Sequence, residues 1–373
     1  MNYSFWEKYF IESPTDVTVI GSGIVGLSAA ISIKELRPEL SVKVLERGYL
    51  PYGASTKNAG FSCFGSVSEL MDDIAHMGVE DTMEVVRMRS LGLDKLKSRV
   101  GIQELEYQHS GGTELFRKTD LALMEKCLDA IPMCNSLMKE HLGKDDCYTF
   151  QTQKLLSGFE PVCIINAHEG LINPMSMMLS LIRMATAKGI TIINGIDVIR
   201  IDKDNKYLQT TAGLKVQYKK LLVCTNGFAA ALLPKIPVTP ARNQVLITSP
   251  LPDNPLSSGY HLDKGYIYFR SYRGRILLGG ARNIDAINET TTDFGNTPLI
   301  QQHLIQVLNT IYPGAESKIE HWWSGILGIG ESKYPIIEWV DSDILVGVRL
   351  GGMGVAIGSY LGDQLAGKLI NNV

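Results

Sequence analysis

The 373-residue chain lacks any marked excess of charge of one sign. Thirty-six Lys and Arg against 39 Asp and Glu leave a formal net charge of -3, and no cluster of basic residues stands out. That balance excludes the electrostatic footprint of a nucleic-acid binder. No run approaches eighteen uncharged apolar residues, so no membrane span is predicted. The opening MNYSFWEKYFIESPTDV has no basic start and no continuous apolar run, and it carries Glu7 and Glu12; it does not read as a secretory leader. The six cysteines, Cys63, Cys127, Cys134, Cys147, Cys163 and Cys224, form no CxxC pair and have no neighbouring His at metal-ligand spacing. No metal is therefore expected. Buried free thiols in a reducing, cytoplasmic compartment are. Repeats and low-complexity tracts are also missing.

Glycine is what the chain has, and its 36 residues bunch at a few loops. Asp16 to Ile20 reads as a short apolar strand, Ile24 to about Leu36 as a helix apolar nearly all round, and Ser41 to Leu45 as a second strand. Between the first two lies Gly21-Ser22-Gly23-Ile24-Val25-Gly26, a GxGxxG, and Glu46 follows Gly26 by twenty residues at the end of the next strand. In this β-α-β setting the pattern is a dinucleotide fingerprint. Gly21 permits the tight turn, Gly23 lets the backbone approach a pyrophosphate, and Gly26 lets the helix pack on the strand. The helix start offers free N–H groups to phosphate, and Glu46 suits the adenosine ribose. Directly after it, GASTKNAGFSCFGS (Gly53 to Ser66) has neither helical nor strand periodicity and very little side chain. Such a segment suits a backbone that runs close against a ligand.

Further along, Glu69 to Arg99 and Leu121 to Leu142 look helical, the second with a break near Pro132. Asn173-Pro174 caps and opens a helix through Ala187. Ile190 to Ile193 is a strand. Asp197 to Ile201, Tyr207 to Thr211 and Leu214 to Tyr218 suggest a β-meander, with a separate strand at Lys220 to Cys224. Gln244 to Thr248, Tyr266 to Phe269 and Ile276 to Leu278 are strands of a Pro- and aromatic-rich region. Thr297 to Tyr312 is a helix. Ile344 to Val348 is a last strand, leading through Gly351-Gly352-Met353-Gly354 into a helix from Val355. Three glycine-bearing loops thus follow strands: Gly21 to Gly26, Thr225-Asn226-Gly227, and Gly351 to Gly354. If those strands share a doubly wound sheet, one long cofactor touches both ends of the chain.

VIGSGIVGLSAA, the LERG after it, GASTKNAG and the closing GVRLGGMGVAIG resemble the D-amino-acid-oxidase-type FAD oxidoreductases, over nearly the whole chain and in order. SFWEKYF, YFRSYRGRILLGG and WWSGILGI look most like the gamma-glutamylputrescine-oxidase branch. The resemblance implies a mixed α/β (α+β) fold, in which a Rossmann-like FAD-binding domain (1–82, 150–232 and 326–373) is interleaved with an antiparallel-sheet substrate domain (83–149 and 233–325). It implies non-covalent FAD. Gly21, Ser22, Gly23, Ile24, Val25 and Gly26 would hold the pyrophosphate, and Glu46, Arg47 and the Val198 backbone the adenosine end. Ser55, Lys57, Asn58, Ala59, Gly60 and Phe61 would run towards the flavin. Thr225, Asn226 and Gly227 would border the crevice, and Gly352, Met353, Gly354 and Val355 would face the pyrimidine edge. Cys63 and Cys163 are possible covalent attachment points, in no pattern that marks either.

The implied reaction moves a hydride from the carbon beside an amine to flavin N5, giving an imine that water hydrolyses. Position and electrostatics, not a dedicated base, are what the protein must supply. Arg270, Tyr268 and Trp323 are the substrate-positioning candidates. Arg270 reads equally as a carboxylate ligand and as a surface ion pair. Tyr266 and Tyr268 alternate on one strand face, and core packing competes for Trp322 or Trp323. Arg242, Asn243 and Gln244 begin a strand that borders the active site in relatives. His168 and Glu169 read as loop support or as acid–base groups. Two departures from the family stand out. The arginine that grips a substrate carboxylate in amino-acid-specific members falls on Leu327. The lysine that speeds reaction with oxygen is missing from Arg275 to Gly279. The first favours a polyamine-like or N-modified amine, and the second leaves oxygen or another molecule as electron acceptor. The same scaffold also suits 2-hydroxy acid oxidation or a non-catalytic FAD-binding redox protein.

Overall fold

The computed structural model describes residues 2–153 and 156–372. Two eight-stranded sheets organise them. In the first, Thr15–Ile20 lies between Val42–Glu46 and Lys215–Val223, parallel to both. Thr191–Asn194 extends one side in parallel, and Ile344–Val348 the other. Both faces of this sheet are covered, so Val42–Glu46 and Ile344–Val348 are buried along their whole length and Thr15–Ile20 along its last four residues. Ile24–Leu36 is buried along its first ten residues and packs on Gly354–Ile370. An added Cβ on Gly358 would stand 2.4 Å from Ile24 Cγ2, so a side chain there would push the two helices apart.

The second sheet runs in the order Ile319–Ile329, Thr239–Thr248, Arg275–Gly280, Ile267–Tyr272, Gly259–Leu262, Gly112–Glu114, Val162–Asn166, Tyr148–Thr152. It is antiparallel except where Gly259–Leu262 meets Gly112–Glu114. Its own core, around Phe269, Leu278 and Phe159, lies under the helix Pro298–Ile311. Trp322 packs against that core.

Three sequence expectations change. The span expected as one helix from Glu69 is two, Val67–Met77 and Val79–Val100, broken at Gly78 with φ +82°. Leu121–Leu142 runs through Pro132 without the expected break, held by a buried face of Cys127, Ile131, Cys134 and Met138. The strands expected at Leu214 and Lys220 are one, Lys215–Val223. Its first half pairs antiparallel with Tyr207–Thr210, and its second half joins the parallel sheet. Lys219 and Lys220, at the join of the two expected strands, pair with Asp16 and Asp343.

Sheet membership also cuts across the expected domain boundaries. The strands Tyr148–Thr152 and Val162–Asn166, and all of Ile319–Ile329, lie on the second sheet. Val79–Val100 packs on the C-terminal helix beside the first.

Candidate active site

The first sheet's central strands end at a cavity of about 800 Å³. Two helices point their N-termini at it, Ile24–Leu36 and Gly354–Ile370. Neither carries a side-chain cap, so first-turn N–H groups remain for a ligand. Ile24 N–H is used, donating to Ser55 Oγ at 3.0 Å. Gly26 sits behind the turn: an added Cβ would lie 1.9 Å from Gly21 O.

Of the predicted cofactor residues, Gly21, Gly23, Ile24, Val25, Glu46, Arg47, Ser55, Asn58, Val198, Thr225, Asn226, Gly352, Gly354 and Val355 line this cavity. Lys57, Ala59, Gly60, Phe61 and Met353 line a second, described below. Ser22, Gly26 and Gly227 line neither. Ser22 instead donates its N–H and Oγ to Glu46 Oε2, at 3.0 and 2.8 Å. Glu46 Oε1 accepts from Gly48 N–H and Tyr52 N–H, so the carboxylate is fixed at the strand end. The Arg47 guanidinium lies over Phe228, 3.8 Å from the ring centroid. Asn226 Oδ1 accepts from Arg349 N–H at 3.0 Å, tying two of the glycine loops together.

The second cavity, of about 230 Å³, is bounded by the second sheet, the Val67–Met77 helix and the Gly53 to Ser66 segment. The two cavities share Ala54, Asn58, Leu327, Gly352 and Val355. The second has a charged rim. Lys264 reaches Asp72 at 2.5 Å, and Lys333 reaches Glu69 at 3.4 Å and Asp73 at 2.5 Å. Glu69 also accepts from the buried Arg89 at 3.0 Å. Burial alone would raise its pKa, but Arg89, Lys333 and His261 outweigh that and hold it below the usual carboxylate range.

The substrate candidates separate. Tyr268 lines the second cavity, and its hydroxyl accepts from Asn243 Nδ2 at 2.9 Å. Burial pushes the phenol pKa up, so it stays an O–H donor. Asn243 Oδ1 is buried and has no hydrogen-bond partner among the described residues. Arg270 lines neither cavity. It is 2% exposed, and its Nη1 donates to the carbonyls of Ala59, Gly60 and Ile172 at 3.2, 3.1 and 2.8 Å. It is neither a surface ion pair nor a ligand fork but a clamp on the cofactor segment. Burial lowers its pKa to about 10. Trp323 is a second clamp, donating Nε1–H to Lys57 O at 2.9 Å. Strand alternation explains the neighbours. Asn243 faces the cavity, while Arg242 and Gln244 face away to Glu289, at 2.9 and 3.0 Å.

Sequence reasoning did not single out His261, Glu69 or Arg282, which three separate elements bring to the second cavity. It also missed that Cys63, Glu169 and His261 converge, their ligand atoms within 4.8 Å of one another. Glu169 ties this group together: Oε1 accepts from Phe64 and Gly65 N–H, and Oε2 lies 3.5 Å from His261 Nε2. Burial and the Glu169 charge push the Cys63 thiol well up, so it is a poor nucleophile. All six cysteines are buried and unpaired, as expected. No helix among the described residues is long and apolar enough to cross a membrane.

A dinucleotide fits the first cavity on the structure's own terms. Backbone donors converge at two helix starts, a carboxylate is fixed at the strand end, and the buried Thr225 Oγ1 has no hydrogen-bond partner among the described residues. Comparison with known proteins names the group. The model of the DAO family, "FAD dependent oxidoreductase", matches residues 16–367, and the chain belongs to that family. FAD is its cofactor. The chain is similar to a probable oxidoreductase OrdL of Rhizobium meliloti (strain 1021), at 25% identity over 98% of this chain and 87% of that one. Its fold is that of glycine oxidase from Geobacillus kaustophilus (TM-score 0.74, 17% identity, 96% and 95% covered). Iminodiacetate oxidase from Chelativorans sp. BNC1 shares it (TM-score 0.73, 20% identity, 95% of each).

Proposed function

We propose that this FAD-dependent oxidoreductase oxidises the C–N bond of a small amine or amino acid in its second cavity. The observation that carries the reading is the junction of the two cavities over Ala54, Asn58, Leu327, Gly352 and Val355, which lets a small molecule meet one end of the cofactor. When bound, FAD supplies the two-electron oxidation by accepting a hydride at N5. The substrate loses that hydride from carbon and a proton from nitrogen, and water hydrolyses the imine to a carbonyl compound.

The chain's residues bind and orient. Asn243 Oδ1, buried and unpartnered, suits an amine N–H. Tyr268 offers its O–H beside it. Arg270 and Trp323 hold the backbone at Lys57, Ala59 and Gly60, which fixes the floor between the cavities. The glycine oxidase and iminodiacetate oxidase likenesses support nitrogen-bearing substrates. We take the cofactor to be non-covalent: Cys163 lies in the second core with its Sγ towards Gln151 O, and Cys63 is held as a thiol. The unpaired thiols suit a reducing compartment, the cytoplasm in our reading. The test is anaerobic bleaching of the bound flavin. Glycine, sarcosine, proline and putrescine derivatives should include a reducing substrate, whereas lactate and glycerol 3-phosphate should leave the spectrum unchanged. Bleaching by the hydroxy compounds alone would overturn the reading.

A further inference from the structure

The cations around the second cavity are not equivalent. Lys264 and Lys333 are spent on Asp72, Glu69 and Asp73, and His261 faces Glu169. Lys57 lies against the rings of Tyr52 and Phe294. Arg282 also lines the cavity, half-buried, and no carboxylate among the described residues lies within ion-pair distance of it. Its guanidinium sits over the Tyr266 ring, 5.0 Å from the centroid, in the same cavity wall. It is close enough for its charge to ease ionisation of the Tyr268 phenol.

The backbone takes an uncommon route to put it there. Ala281, just before Arg282, has φ +63°, a left-handed conformation that a residue with a Cβ adopts at a cost. It is held by Ala281 N–H donating to Tyr266 O at 2.8 Å. An added Cβ on Gly280, with φ +112°, would lie 1.9 Å from Tyr266 O. The strand end is therefore turned sharply, and the turn delivers Arg282 onto Tyr266.

We infer that Arg282 is the anion-binding residue of the substrate cavity, and that the substrate is an amine carrying a carboxylate, gripped there rather than at the strand position occupied by Leu327. The cavity then holds three complementary groups. Asn243 Oδ1 accepts from the amine, Tyr268 donates an O–H, and the planar Arg282 fork takes the carboxylate. Leu327 lies on Ile319–Ile329 and Arg282 just beyond the end of Arg275–Gly280, the two strands that flank Thr239–Thr248 on either side. The carboxylate is thus anchored across the sheet from the family's usual point. This rests on the proposed amine oxidation and names its substrate class.

The test uses the purified flavin-loaded enzyme with benzoate as the anionic probe and benzamide as its neutral counterpart, followed through the flavin absorbance. Benzoate should perturb the wild-type spectrum. Its dissociation constant should rise about 10- to 100-fold in Arg282→Met and less than about 10-fold in Arg282→Lys, as expected on losing or weakening a charged hydrogen bond. Benzamide affinity should not change. With the reducing amine, the same variant should raise KM far more than it lowers kcat. If Arg282→Met does not fold, Arg282→Lys and Arg282→Gln carry the same comparison. Equal benzoate affinity in wild type and variants, or no benzoate binding at all, overturns the assignment of Arg282. A flavin bleached by amines in that case leaves the amine reading intact, whereas a flavin that no amine bleaches overturns the reading beneath it.

Discussion

The two cavities share a floor and differ in what faces the ligand, backbone at helix starts in the first and a cluster of charged side chains in the second. The first is built at strand ends and helix starts, where Gly21, Gly23, Ala54, Ser55, Gly352 and Gly354 bring backbone to a wall that is otherwise mostly apolar. The second is bounded by large and charged side chains, Glu69, His261, Lys264, Tyr266, Tyr268, Arg282 and Lys333, most of them committed to partners. Backbone N–H groups bind the constant part of a cofactor, and their positions are fixed by the fold itself. Side chains select a substrate, and one or two changes among them change what is selected without disturbing the sheet. The difference predicts where substitutions should cost flavin and where they should cost only substrate.

The largest effect should come from Gly26→Ala. Its Cβ would need the space of Gly21 O, a backbone atom that cannot turn aside. The helix must shift off the strand, and the N–H groups aimed at the cavity shift with it. We expect soluble variant protein to hold less than about a tenth of the wild-type flavin, measured by absorbance after purification. Full flavin content would break the claim that the first cavity is set by backbone approach.

The same contrast explains what the sequence made legible. The fingerprint is local: Gly21 to Gly26 and Glu46 lie within one β-α-β unit, and their spacing alone fixes their roles. The second cavity is assembled from Val67–Met77, Gly259–Leu262, Ile267–Tyr272 and the turn after Gly280. No spacing signals that His261 faces Glu169, or that Arg282 stacks on Tyr266 with no carboxylate beside it among the described residues while Lys264 pairs with Asp72. Arg270 was misread for the same reason. An arginine after two aromatic residues looks like a ligand, and only the structure shows three carbonyls around it. The helix through Pro132 stays whole because its buried face holds it, whereas the break at Gly78 is local, a glycine at φ +82°.

Arg270→Met sharpens the comparison next. It removes a buried donor and leaves the carbonyls of Ala59, Gly60 and Ile172 without it, at a cost of about 2–4 kcal/mol. The melting temperature should fall and flavin should be lost more readily on dilution. In the fraction that keeps flavin, KM for the amine should hardly move. A large rise in KM with normal stability would return Arg270 to the substrate. Trp323→Phe is the milder version. It deletes one hydrogen bond to Lys57 O, about 1 kcal/mol, and should speed flavin release slightly without altering substrate parameters.

The smallest effect should be a pH dependence belonging to the second cavity alone. Burial opposes the charged form of His261, but Glu169 at 3.5 Å, with Glu69 and Glu114 beyond, outweighs it and lifts the pKa above the ordinary 6.5. A group whose pKa is raised on folding stabilises most below its unfolded value, and that contribution fades as pH rises through the folded value. The melting-temperature gap between wild type and His261→Gln should therefore be widest below pH 6.5 and narrow as the pH climbs above it. Glu69 gives the opposite sign in a separate window. Its pKa is depressed on folding, so its contribution is lost only on acidification below the usual carboxylate range. Flavin content, set by the first cavity, should not follow the His261 curve. A gap that stays constant with pH would show that folding leaves the His261 pKa unshifted and that Glu169 serves only to hold Phe64 and Gly65 N–H.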